Sequence, residues 1–469
     1  MGTEQETISE IEKTEKTKHE IDMVNGPILK KMLVFAFPLM CSGVLQLLFN
    51  AADIIVVGRF AGDNSLAAVG STTSLINLLS NLFIGLSVGG NVLAARYFGA
   101  RREKDLSETV HTAIMVSLIS GVILAVIGMI LARPVLHLMQ APDSVLGLSA
   151  LYLRIYFIGM PSMMVYNFGS SILRAKGDTR RPLIFLSIAG VLNVILNLIF
   201  VIQFHMDVAG VATATAISQT VSAVLILRCL TKETGGFKLS LKKLRIHKDK
   251  LVTIAQIGLP AGFQGVLFSI SNVILQSSIN TFGDTIIAAN AAAANIEGFT
   301  YMAMNAFYQA AISFTGQNAG AGRFDRINPI LVRAVSCAAL TGLVLGNMTY
   351  IFGGPLLGIY TSSEAVVQAG IIRLAIVCIP YALDGIMDTL VGVLRGLGYS
   401  IVPMIVSLCG VCGLRIVWIA TVFQIPAWHT VETVYWSYPI TWIITASAHF
   451  ACYIYIRKHK INAGGAAAA

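Results

Sequence analysis

The chain has 469 residues, of which 55% are hydrophobic and 12% charged, with a mean hydropathy of +0.74. A soluble domain carries about 25% charged residues, so a string of soluble domains is excluded. The net charge of +9 is spread as membrane topology rather than as a nucleic-acid-binding patch, which the order of the elements brings out.

Residues 1–32 are rich in Glu, Lys and Thr and lack an apolar core, which reads as an N-terminal cytoplasmic tail and not a cleaved signal peptide. Apolar runs long enough to cross ~30 Å of hydrocarbon then follow at 33–57, 66–95, 108–132, 147–173, 182–202 and 208–230. A basic linker occupies 231–250. Further runs lie at 251–278, 286–317, 330–352, 366–394, 401–422 and 433–456, before a C-terminal tail at 457–469. The predicted fold is all-α and integral to a membrane, with twelve transmembrane helices. Of the 33 Lys and Arg, 28 lie in the termini and even-numbered loops or at the span ends beside them, as Arg228 and Arg333 do. The odd-numbered loops hold Arg59 and Arg133 alone. Positive charge marks the cytoplasmic side, so both termini and the linker are expected there, in a multi-pass protein of the plasma (inner) membrane. Contact of these basic loops with anionic membrane lipids is a secondary consequence.

A shift of about 221 residues superimposes the two halves. Pro38 meets Pro260, Gly62-Asp63 meets Gly283-Asp284, and Gly99-Ala100 meets Gly320-Ala321. LRAKGDTRRP (Leu173–Pro182) meets LRGLGYSIVP (Leu394–Pro403), and Pro161 meets Pro380 with a two-residue slip. Six helices is an even number, so the halves are parallel repeats: an N-lobe over 33–230 and a C-lobe over 251–456. Transporters built from parallel repeats bind their solute between the repeats and rock one against the other. The linker is the hinge-side connection in this reading. Pro182 and Pro403 open helices, whereas Pro38, Pro161, Pro260 and Pro380 fall inside apolar runs and are expected to kink them.

An acidic side chain at the centre of a membrane helix costs on the order of 2.5–3.5 kcal/mol on insertion scales. The acids well inside the spans are Asp53, Glu297, Asp384 and Asp388. Each is a functional candidate, against the alternative of a structural pair such as Asp388 with Arg415 or Arg373. Asp384 and Asp388 are four apart and share a helix face, as do Asn193 and Asn197 in the fifth span. Gln46, Asn50, Asn77 and Thr213 are further polar groups that would join Asp53, where oxygens beside a carboxylate would cradle Na⁺ or steady a protonated acid. Singly, each amide is more often helix-packing glue than ligand. The seven cysteines, Cys409-x-x-Cys412 included, read as small packing residues. No Walker motif, metal-ligand cluster or nucleophile elbow is present in the sequence, which argues against ATP-driven pumping by this chain and implies no cofactor.

DIIVVGRFAGDNSLAAVG from Asp53, the LR(A/G)xG…P loops at Arg174 and Arg395, and GVATATAIS in the sixth span together resemble the multidrug and toxic compound extrusion (MATE) family. The resemblance covers 33–456. It implies two six-helix bundles around a central cleft, acting as a monomer to export small organic, often cationic amphipathic compounds in exchange for H⁺ or Na⁺. By the same resemblance Asp53 is the N-lobe cation-site aspartate, Asn193 an asparagine of that site, and Pro38 the point where the first helix bends. Asn197 stands where many members carry a second aspartate. Asp384, eleven residues before Arg395, matches the C-lobe aspartate, and Glu297 compensates for a seventh-helix glutamate missing near Phe268. The coupling ion stays open between H⁺ and Na⁺. Two other readings compete with this one. A lipid-linked saccharide flippase needs a basic cavity, for which Arg154, Arg373 and Arg415 are the available groups. A membrane-embedded enzyme or sensor needs clustered catalytic groups or a soluble output domain, and neither is visible in the sequence.

Overall fold

The computed structural model describes residues 20–138 and 142–461. The outer parts of both predicted tails, 1–19 and 462–469, lie outside the described residues. Twelve long helices follow one another among the described residues: α1 (Ile28–Phe60), α2 (Asp63–Gly99), α3 (Glu103–Leu138), α4 (Asp143–Ile158 and Met160–Lys176), α5 (Arg180–Leu198, extended by a π-helical turn to Gln203) and α6 (Asp207–Thr231). The second half holds α7 (Lys248–Asn280), α8 (Asp284–Gly320), α9 (Ile327–Ile351) and α10 (Glu364–Cys378 and Ala382–Gly396). It ends with α11 (Ile401–Ser407 and Leu414–Ala420, joined by a π-helical stretch at Leu408–Gly413) and α12 (Val431–Ile456). Among the described residues there is no strand. The helices overrun the predicted apolar runs because hydropathy ends at the first charged residues, while the i→i−4 hydrogen bonding continues past them.

Of the predicted kinks, two are breaks. The segments of α4 meet at 47° next to Pro161, and those of α10 meet at 45° around Pro380. Pro38 and Pro260 sit inside continuous helices. The repeat is written into the turns as well: Gly62 and Gly283, which precede α2 and α8, have φ of 85° and 88°. A residue with a Cβ is strained there.

Eleven of the twelve helices are long and apolar enough to cross a membrane when each bent pair counts as one span. The exception is α8, whose sequence is dominated by Ala, Asn and Gln. Its residues from Ala303 to Asn318 are almost all buried. A helix sheathed by other helices has no lipid to satisfy, so it tolerates polarity that an outer helix cannot. Outer helices show the converse: Val122, Ile123, Val126 and Ile130 of α3, and Leu340, Leu343 and Val344 of α9, stand exposed in apolar stripes. Such surface is at rest in lipid and not in water.

The lobes meet along a seam of backbones. An added Cβ at Gly85 of α2 would lie 2.2 Å from the Gly262 nitrogen of α7, and one at Gly262 would lie 2.2 Å from the Leu82 carbonyl. Gly89 and Gly258 continue the seam one turn on. Near the helix ends, Gly99 abuts Gln317 and Gly320 abuts Arg96, two contacts exchanged by the repeat. Small residues let membrane helices approach this closely. Gly262→Leu is therefore expected to force the lobes apart and lower the melting temperature of the purified protein, since overpacking typically costs about 1–3 kcal/mol or more. Gly265→Ala is the control, because its Cβ would meet Asn81 at an ordinary 3.4 Å; equal melting of the two variants would contradict the seam.

Among the described residues, cross-lobe hydrogen bonds and close glycine contacts run from the helix midpoints to the face that carries the basic loops. They begin at Asn81–Ser269 (3.4 Å), Leu47 against Gly298, and Gly43 against Met302. They continue through Ser313–Asn91 (3.2 Å) to Gln317–Ala175 (2.7 Å) and Arg96–Leu397 (3.1 Å). The lobes thus close at the basic face and diverge toward the other. The linker lies against the N-lobe. Gly236 N–H donates to Glu103, Ser240 N–H to His111 Nε2 (3.0 Å) and His247 N–H to Thr112 Oγ1 (3.1 Å).

Candidate functional site

Two polar clusters occupy the membrane interior, one in each lobe. In the N-lobe, Asp53 on α1 faces α5. Asn197 Nδ2 donates to Asp53 Oδ1 at 2.5 Å and approaches Asn193 Oδ1 at 3.3 Å. Asn193 Nδ2 in turn donates to Thr215 Oγ1 at 3.2 Å. The i,i+4 spacing of the two asparagines puts both on one face, and the expected convergence of Asp53, Asn193 and Asn197 is what the chain forms. Asn197 is fully buried, and its carbonyl oxygen has no hydrogen-bond partner among the described residues. A buried acceptor left open beside a carboxylate is an arrangement that a proton on the acid, or a small cation, would satisfy.

Thr213 does not join this cluster, which corrects the sequence expectation. Its hydroxyl donates to the Ala209 carbonyl at 2.7 Å, and it lines a shallow groove with Ile155, Ile158 and Thr220. Residues two positions apart on a helix are about 200° apart around its axis at 3.6 residues per turn, so Thr215 turns toward Asn193 where Thr213 turns away. Gln46, Asn50 and Asn77 are exposed and make no hydrogen bond to Asp53 among the described residues. Tyr152 and Tyr156 of α4 lie within Coulombic reach of Asp53, a neighbourhood the sequence reading missed. Their i,i+4 spacing was the available signal.

The C-lobe cluster is larger and more fully paired. Arg373 on the first segment of α10 grips Glu297 of α8 with Nε–Oε1 and Nη2–Oε2 distances of 2.8 Å each, a bidentate pair. Its Nη1 donates to Asn290 Oδ1 at 2.5 Å, and Asn290 donates to Gln276 Oε1 of α7 at 2.7 Å. The guanidinium also lies over the Tyr435 and Tyr438 rings of α12. Glu297 thus has both oxygens engaged, so it is a structural partner here and not an open cation or substrate ligand, a second correction. Of the two arginines offered as partners for Asp388, Arg415 and Arg373, the second is taken by Glu297.

Asp384 and Asp388 sit on the segment of α10 that follows the bend. Neither accepts a hydrogen bond from a described residue. Arg415 of α11 is within Coulombic reach of Asp384, and Arg395 of Asp388. Arg415 itself stacks over Tyr438 at 4.2 Å and donates to Thr441 at 3.2 Å. Tyr301 of α8 and Tyr381 complete the surroundings. The repeat arginines diverge in partner: Arg395 donates to Tyr308 and to Gln264 Oε1 at 2.7 Å, whereas Arg174 donates to Ser171 at 2.9 Å. Pro38 is buried within α1, with its carbonyl accepting from Ser42 Oγ at 2.9 Å. All seven cysteines are free.

A two-lobed bundle of twelve helices, apolar outside and carrying acids and amides within each lobe, is the architecture of a multi-pass membrane transporter. The family model MatE matches residues 38–199 and again 260–421, one copy per lobe, and the chain belongs to that family. It is a transporter and not an enzyme. Among curated relatives, the probable multidrug resistance protein YoeA of Bacillus subtilis (strain 168) is 27% identical over 92% of this chain and 95% of its own length. A protein named FAD transporter from Shewanella oneidensis is 22% identical over 82% of this chain and 86% of its own. A solved structure described as the outward-facing conformation of a multidrug resistance MATE family transporter superimposes with a TM-score of 0.88 at 23% identity, covering 95% of this chain and 99% of that one. That last likeness is one of fold.

Proposed function

We propose that the chain exports organic compounds, of cationic amphipathic character, in exchange for H⁺ or Na⁺, by alternating access of the cleft between its lobes. The observation that carries this reading is the Asp53–Asn197–Asn193 chain, a membrane-buried carboxylate with an open acceptor oxygen at its side. The basic face is cytoplasmic in this reading, as are both termini, so the lobes are closed inward and parted outward. A cation reaching Asp53 from outside would neutralise it and alter the hold of α5 on α1. Each ion entering down a 100 mV potential supplies about 2.3 kcal/mol, which offsets the electrical cost of expelling one monovalent cation, so in one-for-one exchange the concentration gradient of the entering ion drives export. Protons are favoured slightly over sodium, since the N-lobe has asparagine where a second acid would complete a sodium shell.

A flippase for lipid-linked saccharides fits less well. Arg373 is neutralised by Glu297, and Arg415 is stacked on Tyr438, which leaves little free positive charge for a pyrophosphate.

The reading is tested by ethidium accumulation in energised cells that lack their own pumps. Cells carrying the protein are expected to exclude ethidium relative to empty vector, and to lose that exclusion with a protonophore or a sodium ionophore according to the coupling ion. Equal accumulation, with the protein confirmed in the membrane, would count against cationic-drug export.

A further inference from the structure

Residues 20–27 have no regular secondary structure, yet they dock on the basic face. Glu20 pairs with Lys176 at the end of α4, and Lys176 is held in turn by Glu233 at 2.5 Å. The next residue lies on Gly177, where an added Cβ would sit 2.5 Å from the Ile21 carbonyl oxygen. Asp22 Oδ1 accepts from the backbone N–H groups of Val24 (3.0 Å) and Asn25 (3.1 Å), which folds the segment back on itself. Lys31 ties that fold down by donating to the Asp22 and Asn25 carbonyls, both at 2.7 Å.

The remaining contacts go to the other lobe. Met23 is fully buried in the C-lobe core, in one cluster with Phe314 of α8 and Ile327 and Ile330 of α9. Its carbonyl accepts from Asn318 Nδ2 at 3.0 Å, and the Gly26 carbonyl accepts from Arg326 Nη2 at 3.0 Å. Since Pro27 leads directly into α1, the segment is covalently part of the N-lobe while its middle is packed into the C-lobe. It therefore bridges the seam where Gln317 meets Ala175 and Arg96 meets Leu397.

We propose that residues 20–27 are a releasable latch that holds the cleft shut at the basic face and must undock from α8 and α9 before the cleft opens there. This rests on the alternating-access reading above. Separating the ends of α4 and α8 stretches a strap fixed to both, so either Glu20–Lys176 or the Met23, Asn318 and Arg326 contacts must give way. The C-lobe side is held by Met23, with Ile21 packed against the same cluster, and by two neutral-acceptor hydrogen bonds, each modest in net strength, which suits reversible release. Glu20–Lys176 is part of an ion network with Glu233 and Arg181, so it is the side expected to stay attached.

The test reads conformation and not cargo. In a transport-competent variant freed of its native cysteines, Ser313→Cys places a reporter in the seam, where Ser313 is fully buried. Labelling by a membrane-impermeant maleimide is followed in inside-out vesicles. Met23→Asp, which puts a charge in the docking site, is expected to raise the labelling rate about fivefold or more, the population shift that losing one or two such contacts produces. Joining Met23→Cys to Asn318→Cys with a short reducible cross-linker, in a chain without the reporter, is expected to stop transport until reductant restores it. Reporter labelling that is present but insensitive to Met23→Asp, or transport that continues through the cross-link, overturns the latch alone. A seam cysteine that never labels in any variant overturns alternating access and the latch together.

Discussion

Asp53→Asn is expected to abolish ion-driven efflux while leaving the protein folded and in the membrane. The amide is nearly isosteric with the carboxyl, and its carbonyl oxygen still accepts from Asn197 Nδ2, the 2.5 Å contact that ties α1 to α5. What is lost is the charge, and with it any dependence of that contact on a bound proton or cation. Efflux driven by an imposed ion gradient should fall to the level of empty vesicles, a loss of 100-fold or more on the ~10²–10⁴-fold scale attached to removing a positioned acid or base. Binding of substrate should persist. Asp53→Glu keeps the charge but moves the carboxyl by one methylene, out of register with Asn197, and should retain a fraction of the activity. Gradient-driven transport by the asparagine variant at the wild-type rate would remove Asp53 from the coupling mechanism.

Arg373→Ala is expected to be the most destabilising single substitution in the C-lobe interior. It strips the partner from Glu297, whose two oxygens both depend on the guanidinium, and it frees Asn290 and uncovers two tyrosine faces. Removing one member of a buried ion pair costs about 3–5 kcal/mol, because the survivor is left charged and unpaired. A melting curve of purified protein should show the loss. The double variant Arg373→Met with Glu297→Gln removes the charge from both sides and should recover much of the stability, since a buried pair replaced as a unit is often nearly neutral. If the single variant melts with wild type, Glu297 is paired by something other than Arg373.

Helix count, polarity and repeat were legible in the sequence because each depends on residue type averaged over many positions. Matching prolines and glycines at one offset survive any helix rotation, and the two family matches fall on the same repeat. Rotation itself is what a single chain leaves undetermined. Thr213 and Thr215 are equally good hydroxyl candidates until the face of α6 is known, and the structure selects Thr215. Glu297 reads equally as an open acid or as half of an ion pair until α10 brings Arg373 against it. Asp53, Asn193 and Asn197 could be grouped because spacing aligns the asparagines and a lone acid in an apolar span has few benign explanations, and hydrogen bonds join the three. Residues 20–27 gave no signal at all: a polar stretch without periodicity reads as tail, and its place comes from tertiary contacts, with Met23 buried, Glu20 paired with Lys176 and two carbonyls offered to Asn318 and Arg326.

The glycine seam between α2 and α7 has a mechanical consequence. Where two helices touch backbone to backbone at Gly85, Gly89, Gly258 and Gly262, no side chain stands between the backbones at those four positions, so none there has to change rotamer for one helix to turn against the other. Knobs seated in holes would have to be lifted out over a barrier, whereas smooth surfaces roll. The seam is thus a bearing: stiff against separation, compliant to rotation, and placed along the line about which two rigid halves would swing.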